Sequence, residues 1–313
     1  MTGYSINGVR RTRYAYYPNG RVHWSGLEGG DERDTFVYGA NHTDLTNAKG
    51  LTTRYHHVQV AGTRRVTQIS RPASTACPSG SQHKTYDARG YLQAAVDFAG
   101  NRTEYLYNDR GQLQRRLAGI APGGATSAAL RTEYVWDAQR NLVQRERFFG
   151  SQVGGLPLNE IEYTYHADSD PLRRRLPSQV AVCVPHCAAA GAQKRITGYT
   201  YTFHPNLELA TLVVDGPLPG TVDRTTYTYD TQGRLTRVTN PLGHAVQYLA
   251  YNALGQPGRS IDANGLNTYF SYDAKGRTTQ VRVAGPGGDR IWATTYRPDD
   301  QVATLADPTG LTR

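Results

Sequence analysis

Two thiols and an imidazole fall within five residues in Cys183-Val184-Pro185-His186-Cys187. Thiolate and imidazole are zinc ligands, and Cys77 is the available fourth. The spacing is not the paired Cys-x-x-Cys of a structural zinc site, so no metal site is assigned; a disulfide and free thiols both stay open. His56-His57 follows Tyr55 in a strand-like run. Successive side chains of a strand point to opposite faces, so the pair reads as two partly exposed strand residues and not as joint ligands. Asp307-Pro308-Thr309-Gly310-Leu311 sets a carboxylate before a proline. No nucleophile elbow, P-loop, His-Glu-x-x-His or dinucleotide fingerprint is present. The scattered aspartates mostly start turns. No catalytic, cofactor-binding or metal residue is assigned, no cofactor is called for, and the chain reads as non-enzymatic.

The elements that carry these residues repeat. Tyr229-Asp230-Thr231-Gln232-Gly233-Arg234-Leu235 recurs as Tyr251-Asn252-Ala253-Leu254-Gly255-Gln256 and Tyr272-Asp273-Ala274-Lys275-Gly276-Arg277. Upstream it stands as Tyr86-Asp87-Ala88-Arg89-Gly90 and Tyr107-Asn108-Asp109-Arg110-Gly111. A second turn follows ten residues after the first: Gly90 to Gly100, Gly233 to Gly243, Gly255 to Gly265. Asp or Asn caps such a turn through its short side chain, and Pro at the next place presets φ, as in Pro241 and Pro308. Gly at the fourth place supplies φ > 0 and closes a type I turn with a bulge between antiparallel strands. Asp307 to Gly310 fits this turn at every residue. Some units replace the second turn by a Gly/Pro loop, at 119–124, 150–157, 215–220 and 285–288. Loop length varies cheaply between fixed strands. An irregular insert runs from about 168 to 191.

Composition agrees. The chain has 313 residues, 38% hydrophobic, with 33 Gly and 22 Tyr against 6 Phe, and a mean hydropathy of −0.59. That suits many short strands and turns. Tyr105 and Tyr107, Tyr163 and Tyr165, Tyr199 and Tyr201, and Tyr227 and Tyr229 lie two apart, on one strand face. Neither face is apolar enough for a sandwich core. The fold class is therefore all-β, a long antiparallel sheet strip of repeated hairpins with helix nearly absent. No run approaches the ~18 apolar residues of a membrane span. The first ten residues do not read as a signal peptide, so the chain stays inside or is an internal piece of an exported one. Net charge is +9. Of 35 basic residues only Lys49, Lys84, Lys194 and Lys275 are lysine, and the arginines are spread through the units. That distribution argues against a nucleic-acid partner and for Arg stacking on Tyr.

These stretches resemble the YD repeats of the RHS/YD family. The resemblance is strong over 86–142 and 225–313 and weaker before 86. It divides the chain into degenerate repeats at 1–85 and an array at 86–313, best treated as one continuous repeat domain. Departures are Trp136 for Tyr, Arg140 at the Gly place, and Phe203-His204-Pro205-Asn206-Leu207 without Gly. Those units are expected to have longer or distorted turns. The resemblance implies a sheet strip spiralling into a hollow shell that holds a C-terminal toxin or effector until delivery. Implied partners are the rest of that shell, the effector, and a secretion-system spike or other export partner. Implied localisation is secreted or cell-surface as part of a larger chain, cytoplasmic before export. The alternative is a carbohydrate-binding or adhesion module whose Tyr and Arg rows stack on glycans. Asp307 to Leu311 is similar to the D-P-x-G-L self-cleavage motif of such shells, but it occupies the place of an ordinary turn and lacks an evident acidic partner. The array reaches Arg313 in mid-unit, which reads as a truncated or split chain.

Overall fold

The computed structural model describes residues 2–6, 9–28, 32–73, 78–150, 155–297 and 301–312. The described residues form antiparallel strands joined by turns, and helix is confined to the 3-10 turn Thr126–Ala128. The all-β expectation is met, because alternating Tyr- and Thr-rich runs sit between turn signals. No helix among them is long and apolar enough to cross a membrane.

The chain divides into two units, 1–162 with 182–194 and 163–181 with 195–313. In the first, successive strands pair antiparallel from Thr12–Tyr16 onward, as in Gly80–Tyr86 with Leu92–Val96 and Leu130–Trp136 with Val143–Phe149. In the second they pair likewise from Gln193–Phe203 to Val302–Ala306. A register slip sits at the repeat aromatic, beside the turn: at Tyr107, Trp136, Tyr229, Tyr272 and Tyr296. Each slip sets two residues against one, the bulge that a left-handed glycine turn produces.

Buried apolar residues are few. Among the described residues they are Ile120, Ala129, Phe149, Cys183 and Cys187 in the first unit and Tyr201 in the second. Most strand positions are half-buried on both faces. Burial of a core therefore does not fix the strands; side-chain bonds between neighbouring hairpins must.

Of three local expectations, one is refined, one is met and one is corrected. The insert at 168–191 is irregular only in part, since Pro177–Val184 is a strand. Val180, Val182 and Val184 alternate there, as a pleated strand requires. The Trp136 unit does have the longer turn: Asp137 N donates to Leu142 O at 2.8 Å, one residue further than usual, and Asn141 takes φ 58° in place of Gly. Asn tolerates that conformation. The Phe203 unit, however, has the ordinary turn and is not distorted. His204 N donates to Glu208 O (2.8 Å), Leu207 N to His204 O (2.9 Å), and Leu207 holds φ 70°. The next turn imposes this geometry. His204 Nε2 donates to Tyr229 O (3.0 Å) and Asn206 Nδ2 to Thr231 O (2.7 Å).

Leu207 is exposed, so it gains little packing for its strained backbone. Leu207→Gly removes about 1–2 kcal/mol of left-handed strain and adds about 0.5–1 kcal/mol of unfolded-state entropy cost. The expected net is a gain of about 0.5–1 kcal/mol in urea denaturation. A lower midpoint would contradict the strain assignment.

Candidate functional site

The most developed site is the repeat turn and the bonds that tie it to the next hairpin. Asp230 N donates to Arg234 O (2.9 Å) and Gly233 N to Asp230 O (3.0 Å). Asp230 Oδ1 accepts from Gln232 N (2.9 Å) and Arg234 N (3.0 Å). Gly233 has φ 75°. Asp273, Asp262, Asn252, Asn240, Asn108, Asp97, Asp87 and Asn47 each accept from the same two backbone positions. The carboxylates are thus spent on backbone N–H groups, as turn caps are.

In some of these turns the cap's second side-chain atom also bonds the residue four places on. Arg234 Nε donates to Asp230 Oδ2 (2.7 Å), and Arg277 Nε to Asp273 Oδ2 (2.7 Å). At two of the Asn caps that residue is Gln: Asn108 Nδ2 donates to Gln112 Oε1 (2.6 Å) and Asn252 Nδ2 to Gln256 Oε1 (3.1 Å). A carboxylate meets a cation, and an amide meets an amide. The repeat aromatic completes the clasp on the adjacent strand, or, for Tyr17, across one intervening strand. Tyr251 Oη donates to Leu235 O, Tyr272 Oη to Pro257 O (2.9 Å), Tyr296 Oη to Thr278 O (2.9 Å), Tyr86 Oη to Val66 O (2.8 Å) and Tyr17 Oη to Phe36 O (2.9 Å). Trp136 Nε1 donates to Leu113 O (2.7 Å), which is how Trp replaces Tyr without loss of the bond. The same arginine covers the ring: Arg234 lies 4.9 Å from the Tyr251 centroid and Arg277 4.3 Å from that of Tyr296.

Partial burial raises the Asp230 and Asp273 carboxyls, but Arg234 or Arg277 and the backbone donors outweigh it and hold both below the usual carboxylate range. A folded-state value below the unfolded one stabilises the native state at neutral pH, and that contribution is lost as pH falls through the folded value. Burial pushes the Tyr229, Tyr251 and Tyr272 hydroxyls up, which keeps Tyr251 and Tyr272 protonated as donors.

The pairing rule gives a double-mutant test. Arg234→Gln alone and Asp230→Asn alone each lose about 1–2 kcal/mol, discounted for half-exposed side chains. The double variant recreates the Asn–Gln pair of Asn252 and Gln256 and recovers about 1 kcal/mol of the summed loss in a thermodynamic cycle. Additive losses would show that the two positions act separately.

A shallow groove lies beside the clasp in each unit. One, of about 470 Å³, is lined by Asn108, Gln112, Gln114, Tyr134 and Trp136. The other, of about 480 Å³, is lined by Asp273, Arg277, Thr279, Thr294 and Tyr296, at equivalent repeat places.

The clusters singled out by sequence fall as follows. Cys183 and Cys187 form a disulfide, Cα–Cα 5.0 Å, so their sulfurs hold each other and are not a thiolate pair. Cys77 lies outside the described residues. His56 packs its ring 6.1 Å from that of His42 across the strand pair. His57 departs from the expected partial exposure and is buried, 7% exposed, in Thr52–Val60, which pairs with His42–Thr46 on one side and Thr63–Arg71 on the other. Asp307 makes the ordinary turn: its Oδ1 accepts from Thr309 N (2.8 Å) and Leu311 N (3.1 Å).

Sequence reasoning missed Glu160. It is 3% exposed; its Oε2 accepts from Arg147 Nε (2.8 Å), and Arg145 Nε lies 3.7 Å from its Oε1. Arg145 and Arg147 face Glu162 and Glu160 in register. Arg-x-Arg and Glu-x-Glu are visible in the sequence, but their opposition needs the register.

The RHS repeat pattern matches residues 220–245, the stretch built around the Asp230 turn. No curated protein matches the chain in sequence. In structure it is similar to TcdB2-TccC3 without the hypervariable C-terminal region, at 12% identity and a TM-score of 0.54, over 95% of this chain and 18% of that one. It is likewise similar to TcdB2-TccC3-Cdc42 (12%, 0.54) and TcdB2-TccC3-TEV (13%, 0.53), each over 95% of this chain and 18% of the other. At such identity the likeness is one of fold, and the chain spans less than a fifth of those structures' length.

Proposed function

We propose that this RHS-repeat chain is a wall segment of a larger β-shell, and that the shell encloses a C-terminal toxin or effector before delivery. The observation that carries this reading is the shared fold over 95% of the chain with TcdB2-TccC3 structures. Three features support it. Turn carboxylates and repeat aromatics are committed to structural bonds, leaving side chains to tie hairpin to hairpin. Half-buried, polar faces suit a wall that must not hold an unfolded passenger irreversibly. The Cys183–Cys187 disulfide suits an exported chain. Secretion machinery and the passenger are the partners this function requires. Glycan stacking is the weaker reading, because guanidinium groups already cover the rings of Tyr251, Tyr269 and Tyr296.

The test is protease protection of a longer polypeptide carrying these residues and its own C-terminal domain. The passenger should resist cleavage until denaturant melts the strand array, with both lost at one midpoint. A passenger cut while the array stays folded would refute enclosure.

A further inference from the structure

We propose that the region His42 to Arg71 is an acid-labile element of the array, with His57 as its trigger. His57 sits in Thr52–Val60, between His42–Thr46 and Thr63–Arg71. It is 7% exposed, and its Nε2 has no hydrogen-bond partner. The titratable and charged groups on the strand to one side are His42 and Asp44. On the other they are Arg64, Arg65 and Arg71, and on its own strand Arg54, Tyr55 and His56. Asp44 is committed to Arg54 by two bonds of 2.7 Å. Arg65 lies over the Tyr86 ring and Arg71 over Phe98. Arg64 and His42 are the charges that act on His57, and neither is negative.

Protonation therefore puts a full charge into a buried site where Nε2 has no hydrogen-bond partner and Arg64 lies nearby, with backbone hydrogen bonds at His57 and His42 only partly offsetting the burial. Burial, then the Arg64 charge, holds the imidazole below its ordinary value. A depressed folded-state value stabilises the native state above the unfolded value of about 6.5. That stability is lost as pH falls through the folded value. The segment is a hairpin of two nine-residue strands closed by Ala61 (φ 47°) and Gly62 (φ 75°), so opening can stay local. A shell wall carrying it would loosen there first on entering an acidic compartment.

Hydrogen exchange on the full chain at about pH 7.5 and about pH 5, corrected for intrinsic rates, tests this. Amides in 52–71 should lose protection about tenfold or more at the lower pH, while those in 245–261 hold theirs. His57→Phe should abolish the difference. Equal protection at both pH values, or a loss that persists in the variant, overturns the proposal. Should the variant not fold, NMR titration of the wild-type histidines decides. Hairpin opening that follows His57 protonation supports the trigger, and protonation with the hairpin still protected overturns it.

Discussion

Gly111→Ala is expected to cost about 2–4 kcal/mol, against about 1–2 kcal/mol for Gly255→Ala. The two glycines close equivalent turns with φ 77° and 75°, so backbone strain is matched. They differ in surroundings. A Cβ at Gly255 meets nothing within 4 Å, whereas one at Gly111 overlaps the Tyr91 hydroxyl and ring. Tyr91 cannot swing away freely: it stacks on Tyr107 at 5.1 Å and lies under the Arg89 guanidinium at 5.0 Å. Displacing it forfeits about 0.5–1.5 kcal/mol of ring contact besides the steric cost. Paired denaturation curves measure the difference. Equal losses at the two sites would show that the turn alone, and not its neighbour, sets the demand for glycine.

The second large effect is at Glu160. Removing one member of a buried ion pair costs about 3–5 kcal/mol when the survivors are also buried. Here the side chains of Arg147 and Arg145 are 33% and 42% exposed, so water recovers part of that. Glu160→Ala should cost about 2–3 kcal/mol. It leaves Arg147 without its carboxylate, while Arg145 keeps Glu162 Oε1 at 2.7 Å. Arg147→Ala, which removes the direct 2.8 Å partner, should cost less, because Arg145 still lies near the carboxylate. A Glu160→Ala loss below that of Arg147→Ala would sink the assignment of Glu160 as the anchor.

Local turn chemistry was legible and long-range bonding was not. Tyr-Asp-x-x-Gly states its own turn, since Asp, Pro and Gly act within four residues. Asp with Arg and Asn with Gln, four places on, can also be seen in the sequence at 230/234 and 252/256. What joins them is a bond to the cap's second side-chain atom, an oxygen in Asp230 and the Nδ2 donor in Asn252, which requires coordinates. The Tyr hydroxyl bonds reach carbonyls 15 to 20 residues away in sequence, mostly on the adjacent strand, and follow only from register. Leu207 shows the limit of motif reading: a neighbouring turn forces a residue into a conformation its own sequence disfavours. His57 shows another, because strand alternation separates it from His56 but says nothing about what covers it. The strand Pro177–Val184 was obscured by its position next to the Cys-x-x-x-Cys cluster.

The most direct test of the wall reading is electron cryomicroscopy of the complete natural polypeptide that contains these residues. The account predicts that residues 12–306 trace as consecutive antiparallel strands of an unbroken wall, with the Asp230 and Asp273 clasps repeated along it and passenger density on its inner side. A map placing these residues in a separate solid body, with no enclosed volume behind it, would contradict the account.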